Sequence, residues 1–553
     1  MNESRTVFIN ADGTSYEVNP AEDRSLLDVV RAIDPTAIDA PCGGAGTCGK
    51  CRVHILAGDP GQPGPDELRR LKAEELAAGI RLACRVPARG GIMAERAVSS
   101  GRAVIRENFT ALSGEPDPLH SEAGAYGVAI DIGTTTVAAY LVDFGDERVA
   151  ASASCLNSQK AFGADVIARI DHAGKAPGNL QLLADLVRGD IQRLTEQLLE
   201  HVTARPDAIR EFSVVGNTTM LHLFTAVDPA GIAVAPFTPV FTAARRAAAT
   251  EFGLPYPRAG LTIGPSVAAY VGADLVAAVR ASGIEKREKL ALVIDLGTNG
   301  EMALGNRTGV VACATAAGPA FEGAAISFGT GGVAGAIDAL SWENGRLLWT
   351  TIGGGAPIGI CGSGIIDAAA CLVRAGITDE TGAMHETWAE EGYPLARNGS
   401  GIIRFTQADV RQIQLAKAAV AAGIGAMLEE LGADFEDIEQ VYLAGGFGSY
   451  LRPESAATIG LIPPPLLPKV QAIGNAAGHG AVRMLLWHNE TEAMTRLVAA
   501  TKYLELSGSD FFRDRFVEEL FFPEPADPVV PLPPAPEATG QSGPAVLSTM
   551  AGA

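Results

Sequence analysis

The chain has 553 residues, a net charge of −21 and 47% apolar side chains. That length supports several domains with sizeable cores, and the negative balance argues against nucleic acid or an anionic membrane as a partner. The opening MNESRTVFIN has neither a basic start nor an apolar run, so no signal peptide is expected. No uninterrupted apolar stretch reaches the roughly 18 residues that span a bilayer, since Glu322 and Asp338 interrupt the Gly/Ala-rich run from Ala320 to Leu340. The expectation is a cytoplasmic protein.

From the N-terminus, Arg5 to Ile9 and Ser15 to Val18 read as short strands with a turn at Asp12-Gly13. Leu26, Leu27, Val30 and Ile33 give a short helical face. Cys51 to Leu56 and Arg81 to Val86 read as further strands, so residues 1–96 form a small α+β unit. Within it lie Cys42, Cys48, Cys51 and Cys84, spaced C-x5-C-x2-C with the fourth after a further 32 intervening residues. Three sit in the loop PCGGAGTCGKC, where Gly43, Gly44, Gly46 and Gly49 let backbone wrap closely and aim N–H groups inward. Four thiolates can hold two irons as a [2Fe–2S] cluster. Structural zinc usually shows two short C-x2-4-C pairs, and this stretch has one. Disulfides are not expected without a secretion signal. The spacing resembles that of [2Fe–2S] ferredoxins with the longer first loop, and the resemblance implies a β-grasp fold. Cys155, Cys313, Cys361 and Cys371 are scattered and read as buried thiols.

A near-repeat follows. Tyr126-Gly-Val-Ala-Ile-Asp131-Ile-Gly133-Thr134-Thr135 resembles Leu292-Val-Ile-Asp295-Leu-Gly297-Thr298-Asn299-Gly300-Glu301. Each is an apolar strand running into Asp-x-Gly-Thr. The glycine removes a Cβ where phosphate approaches, amide and hydroxyl groups can donate to it, and the aspartate can hold Mg²⁺. Asp295 and Glu301 are the candidate catalytic carboxylates. One copy would be an ordinary turn; two suggest paired lobes with a cleft between. Further glycine turns occur at Gly445-Gly446, at Gly362 and Gly364, and at Gly474 to Gly478. Singly, each reads as a tight turn or a close helix contact. Together with the paired aspartates they resemble the superfamily of acetate and sugar kinases, Hsp70 and actin. That resemblance implies phosphate loops at Asp131 and Asp295, with Gly445, Gly446, Gly362 and Gly364 on the adenosine side.

The combination resembles the ATP-dependent reductive activators of corrinoid proteins, from Thr6 to about Pro523. The supporting motifs are Asn157-x-Gln159 with Phe162-Gly-Ala-Asp-Val-Ile-Ala-Arg-Ile170, Val215-Gly-Asn-Thr-Thr-Met-Leu-His222, Thr315 to Gly323, Asp409 to Lys417, and Glu505-Leu-Ser507. The resemblance implies a ferredoxin domain over 1–96, a linker over 97–125, a middle domain over 126–286 and a C-terminal ATPase domain over 287–524. The Pro/Ala-rich tail over 525–553 reads as disordered. It further implies a [2Fe–2S] cluster, ATP and Mg²⁺, a corrinoid protein partner such as a cobalamin-dependent methyltransferase, an external electron donor and a homodimer. Electron transfer to Co(II) would regenerate Co(I). Thr315 is the candidate corrinoid-facing residue, against the alternative of a tight turn between lobes. His222, in an apolar run, reads as a core histidine. Three other classes stay open: a sugar-kinase-type enzyme with an appended ferredoxin domain, a radical-dehydratase activator, and a plain electron carrier.

Overall fold

The computed structural model describes all residues except 1–5, 11–13, 20, 35–36, 39, 41, 97–115, 298, 319, 324, 399–400, 446–449 and 531–553. The expected turn at Asp12-Gly13, most of the linker, Thr298, Gly446 and most of the tail therefore lie outside the described residues.

Thr6–Ile9 and Ser15–Val18 pair antiparallel, and Thr6–Ile9 pairs parallel with Met93–Arg96. Arg52–Ala57 and Ile80–Leu82 complete a five-stranded mixed sheet. Helix Leu26–Arg31 covers it, capped by Ser25, whose side chain accepts from Asp28 N. Leu26, Leu27 and Val30 enter the core, but Ile33 lies past the helix end and is 52% exposed. The mixed sheet with its covering helix is the β-grasp arrangement.

Two six-stranded sheets then repeat one plan. In the first, Tyr126–Ile132, Thr136–Asp143 and Arg148–Leu156 form an antiparallel meander, and Ile209–Gly216 and Gly260–Ile263 extend it in parallel. In the second, Leu290–Leu296, Gly300–Asn306 and Gly309–Thr315 form the meander, and Ile438–Ala444 and Val470–Ala472 extend it. Both first strands are nearly continuous apolar runs because helices cover both faces. Each ends at the aspartate of the repeat, which brings the two Asp-x-Gly-Thr turns to corresponding places in the two lobes.

The polypeptide does not keep to chain order. Helix Ala476–Leu486 packs on helix Ala273–Ser282 and on strand Tyr126–Ile132, inside the core of the first lobe. Gly480 permits this, since a Cβ there would run into the carbonyl of Ala277. Where the tail was expected to begin, Val529 N still donates to Arg374 O at 2.7 Å. Asp527 pairs with Arg374 at 2.6 Å.

The ferredoxin domain rests on both lobes. Gly43 of the cysteine loop lies against the carbonyl of Phe162, and Arg31 stands 5.3 Å above the Phe162 ring. Lys50 Nζ donates to Gly329 O at 3.3 Å.

Candidate functional site

The four N-terminal cysteines are free thiols arranged as two pairs. Cys42 and Cys48 sulfurs are 3.3 Å apart, and Cys51 and Cys84 sulfurs 3.4 Å. Two pairs fit two irons, each iron taking two thiolates. The hydrogen bond from Cys48 pulls Cys42 down to about 4, while the same contact raises Cys48. The loop reaches this shape through positive φ at Gly43, Gly44, Gly46 and Gly49. Arg85, next to Cys84, ties the loop's carbonyls back: it donates to Gly44 O at 3.1 Å and Ala45 O at 2.6 Å, and pairs with Asp66 at 2.7 Å. A Cβ at Gly46 would collide with that guanidinium. Behind Cys84, the buried pair Arg81–Glu67, at 2.7 Å, fixes the segment to its neighbour.

The first Asp-x-Gly-Thr turn is held from behind through its carbonyl groups. Asn157 Nδ2 donates to Gly133 O at 2.9 Å, and Asn157 N donates to Thr135 O at 2.9 Å. The Arg169 guanidinium donates to Thr134 O, and Gln159 Oε1 accepts from Arg169 at 3.3 Å. Asn217 Nδ2 donates to Thr134 Oγ1 at 3.0 Å. With the carbonyls occupied, the N–H groups of Thr134 and Thr135 have no hydrogen-bond partner among the described residues. Gly133 must be glycine, because a Cβ there would sit 2.7 Å from Thr136 O. Free adjacent amides beside a Cβ-free position are donors that could serve a phosphate. Arg169 has no solvent exposure. Burial lowers it only to about 10, so it stays charged behind these amides.

At the second turn Gly297 N donates to Asn299 O at 3.0 Å, and among the described residues a Cβ at Gly297 would meet that carbonyl at 3.7 Å. Asp295 instead sits among carboxylates. Burial and the charge of Asp274 push it up to about 7. Glu301 is raised well above the usual carboxylate range by burial and by Asp274 and Asp295. Glu301 Oε2 is a buried oxygen with no hydrogen-bond partner among the described residues. A divalent cation nearby would relieve the mutual repulsion, but no three of these carboxylates are spaced as a ligand set among the described residues. Asp274 comes from the other lobe, and no sequence motif singled it out.

Gly445, with φ 92°, would place a Cβ 2.7 Å from Asp295 Oδ1, so the expected adenosine turn backs directly onto the second phosphate turn. Gly364 is a packing glycine: a Cβ there would strike the carbonyl of Ile337. Gly362 opens the same helix, Gly362–Arg374, and is buried. Thr315 is only 4% exposed, and its hydroxyl donates to Gly300 O at 3.3 Å inside the sheet. Its hydroxyl is engaged within the lobe. Glu322, inside the Thr315 to Gly323 motif, reaches across the lobes: its Oε2 accepts from Thr135 Oγ1 at 2.7 Å. His222 is a core histidine, bonded to Thr218 O at 2.7 Å and accepting from Val240 N at 3.1 Å.

Among the described residues, no helix is long and apolar enough to cross a membrane.

Comparison with known proteins agrees with this layout. Residues 9–89 match the 2Fe-2S iron-sulfur cluster binding domain, 126–287 the RACo middle region, and 289–531 the C-terminal domain of RACo, the ASKHA domain. The corrinoid activation enzyme RamQ of Eubacterium limosum is 35% identical over 423 residues, 72% of this chain and 71% of that protein. The [Co(II) methylated amine-specific corrinoid protein] reductase of Methanosarcina barkeri is 24% identical over 435 residues, 72% of this chain and 77% of that one. A solved structure of a reductive activator for corrinoid, iron-sulfur protein is 31% identical with a TM-score of 0.69, covering 94% of this chain and 98% of that chain. A cysteine loop shaped for [2Fe–2S], joined to a two-lobed phosphate cleft and matched along nearly its whole length to these proteins, belongs to the family of reductive activators of corrinoid proteins.

Proposed function

We propose that this protein regenerates the Co(I) state of a cobalamin-dependent methyltransferase or similar corrinoid protein. One electron passes to Co(II) from a [2Fe–2S] cluster held by Cys42, Cys48, Cys51 and Cys84, and ATP bound between the lobes drives the step. An external donor of low potential returns the electron.

The observation that carries this reading is the presence, in one chain, of two thiol pairs at 3.3 and 3.4 Å and of two adjacent amides, at Thr134 and Thr135, without a partner among the described residues. The cluster supplies one-electron transfer when bound. Arg85 holds its loop open, and Arg169, Asn157 and Asn217 hold these amides toward phosphate. Asp295 and Asp131 would hold Mg²⁺ through water, and Asp274 and Glu301 would add negative charge near Asp295. Gly445 leaves room for the nucleoside beside Asp295. Reduction of Co(II) in a corrinoid is uphill for many ferredoxins, so the nucleotide acts by differential affinity between states of the complex. A homodimer and a cytoplasmic location accompany this reading, on the family resemblance.

The test is an anaerobic absorption spectrum of a Co(II) corrinoid methyltransferase with this protein and a strong reductant, with and without ATP. A Co(I) band that grows only with ATP is expected. No Co(I) with several corrinoid proteins, despite an intact cluster and active hydrolysis, would replace this reading with metabolite phosphorylation.

A further inference from the structure

Two residues on one short loop connect the first phosphate turn to the iron–sulfur domain. Glu322 accepts from Thr135 Oγ1 at 2.7 Å. Gly329 O, on the same loop, accepts from Lys50 at 3.3 Å, one residue from Cys51 and two from Cys48. The loop is folded on itself between them. A Cβ at Gly323 would lie 2.8 Å from Thr330 N, and one at Gly329 would collide with Gly323 O. Gly329 N donates to Ile326 O at 3.0 Å. Glu322 and Gly329 therefore sit on touching backbone and cannot shift independently.

Between them the loop is anchored at Ser327. Asp409 Oδ1 accepts from Ser327 N at 2.7 Å and Ser327 Oγ at 3.0 Å. Asp409 also caps its own helix through Thr406. The loop can thus tilt about Ser327 without leaving the lobe.

A second path runs parallel. Arg169 donates to Thr134 O in the first phosphate turn and to Gly163 O at 3.0 Å. The neighbouring Phe162 carries the carbonyl against Gly43 and the ring under Arg31.

A carboxylate on the Thr135 hydroxyl occupies the place of an acceptor oxygen at that turn. A phosphate and Glu322 are both anions, and they compete for one donor and for the field of Arg169. We propose that Glu322 is a positioning residue which nucleotide phosphate displaces from Thr135, tilting the loop so that Gly329 releases Lys50 and the cysteine loop lifts from the lobes. This rests on the ATP-driven reading above and adds an order of events to it. Without nucleotide the cysteine loop faces its own ATPase lobes through Gly43 and Lys50. With nucleotide it is freed to face a corrinoid partner.

The test uses the full-length, cluster-loaded protein under anaerobic conditions, with AMPPNP and Mg²⁺ as the probe. Hydrogen–deuterium exchange is followed over 42–51 and 321–330, and nucleotide affinity is measured by calorimetry. In the wild type, AMPPNP should raise exchange in both segments. Glu322→Gln removes the competing charge, so it should bind AMPPNP several-fold tighter and show raised exchange over 42–51 before nucleotide is added. Lys50→Ala should raise exchange over 42–51 and, because linked equilibria are reciprocal, tighten AMPPNP binding as well. Tight AMPPNP binding with unchanged exchange over 42–51 in the wild type would overturn the coupling and leave the ATPase reading standing. No AMPPNP binding at all would overturn both. Glu322→Asp, which keeps the charge on a shorter arm, should lie closer to the wild type than Glu322→Gln; the reverse order would mean that side-chain shape, and not charge, sets the contact.

Discussion

Arg169 donates to the carbonyl of Thr134 from a site with no solvent exposure, and no carboxylate forms an ion pair with it among the described residues. A charge buried this way is retained where its hydrogen bonds and field are needed. Here it turns the carbonyls of the first phosphate turn away from the cleft and places a positive charge behind the amides left free.

Arg169→Met would strand the carbonyls of Thr134 and Gly163. Each stranded carbonyl costs roughly 1–3 kcal/mol, partly offset by removing a buried charge, for a net loss of about 2 kcal/mol. Denaturant unfolding should show this loss, and calorimetry should show weakened AMPPNP binding. Arg169→Lys should restore part of the stability, since an ammonium can still reach one carbonyl.

Gly445→Ala places a methyl group 2.7 Å from Asp295 Oδ1 at a φ of 92°. ATP turnover should fall at least tenfold, the rate equivalent of about 1.4 kcal/mol, while iron content per chain stays at the wild-type value. Loss of iron together with turnover would mean that the substitution unfolds more than the nucleotide turn.

Arg85→Ala frees the carbonyls of Gly44 and Ala45 without touching a ligand. The cluster should still assemble, but its visible absorption should decay faster in the presence of an iron chelator. Cys48→Ser, by contrast, should prevent a normal [2Fe–2S] spectrum from forming and leave AMPPNP affinity intact.

Lys417 has no solvent exposure, donates to Phe521 O at 2.5 Å and is lowered by burial to about 8 from 10.5. Between those values the unfolded chain holds the proton and the folded chain has lost it. This group's contribution therefore rises with pH from about 8 to 10.5 and is flat below. Wild-type stability, measured against Lys417→Met over that range, should climb with pH. A constant difference would mean that the lysine titrates normally in the fold.

The motif from Asp409 to Lys417 shows how a legible pattern can hide its purpose. Its residue types stand out in the chain, but their partners are Ser327, Thr381, Leu520 and Phe521. Asp409 anchors the loop next to Glu322, and Gln414 and Lys417 grip the C-terminal segment. Asn157 and Gln159 are similar: visible as a motif, but explained only when the first phosphate turn and Arg169 fold against them.

By itself the sequence marked out the four spaced cysteines and the paired Asp-x-Gly-Thr turns, and through family resemblance the β-grasp and two-lobed folds. Cysteine spacing and strand-end turns are local, so they are written in consecutive residues. Only the tertiary structure decided that Glu322 reaches Thr135, that Asp274 joins Asp295 and Glu301, that Gly364 is a packing glycine, and that Thr315 turns inward to Gly300. It also decided that helix Ala476–Leu486 completes the core of the opposite lobe. These contacts join segments tens to hundreds of residues apart, and each depends on where a side chain points once two lobes close. Periodicity and spacing carry no information about that direction.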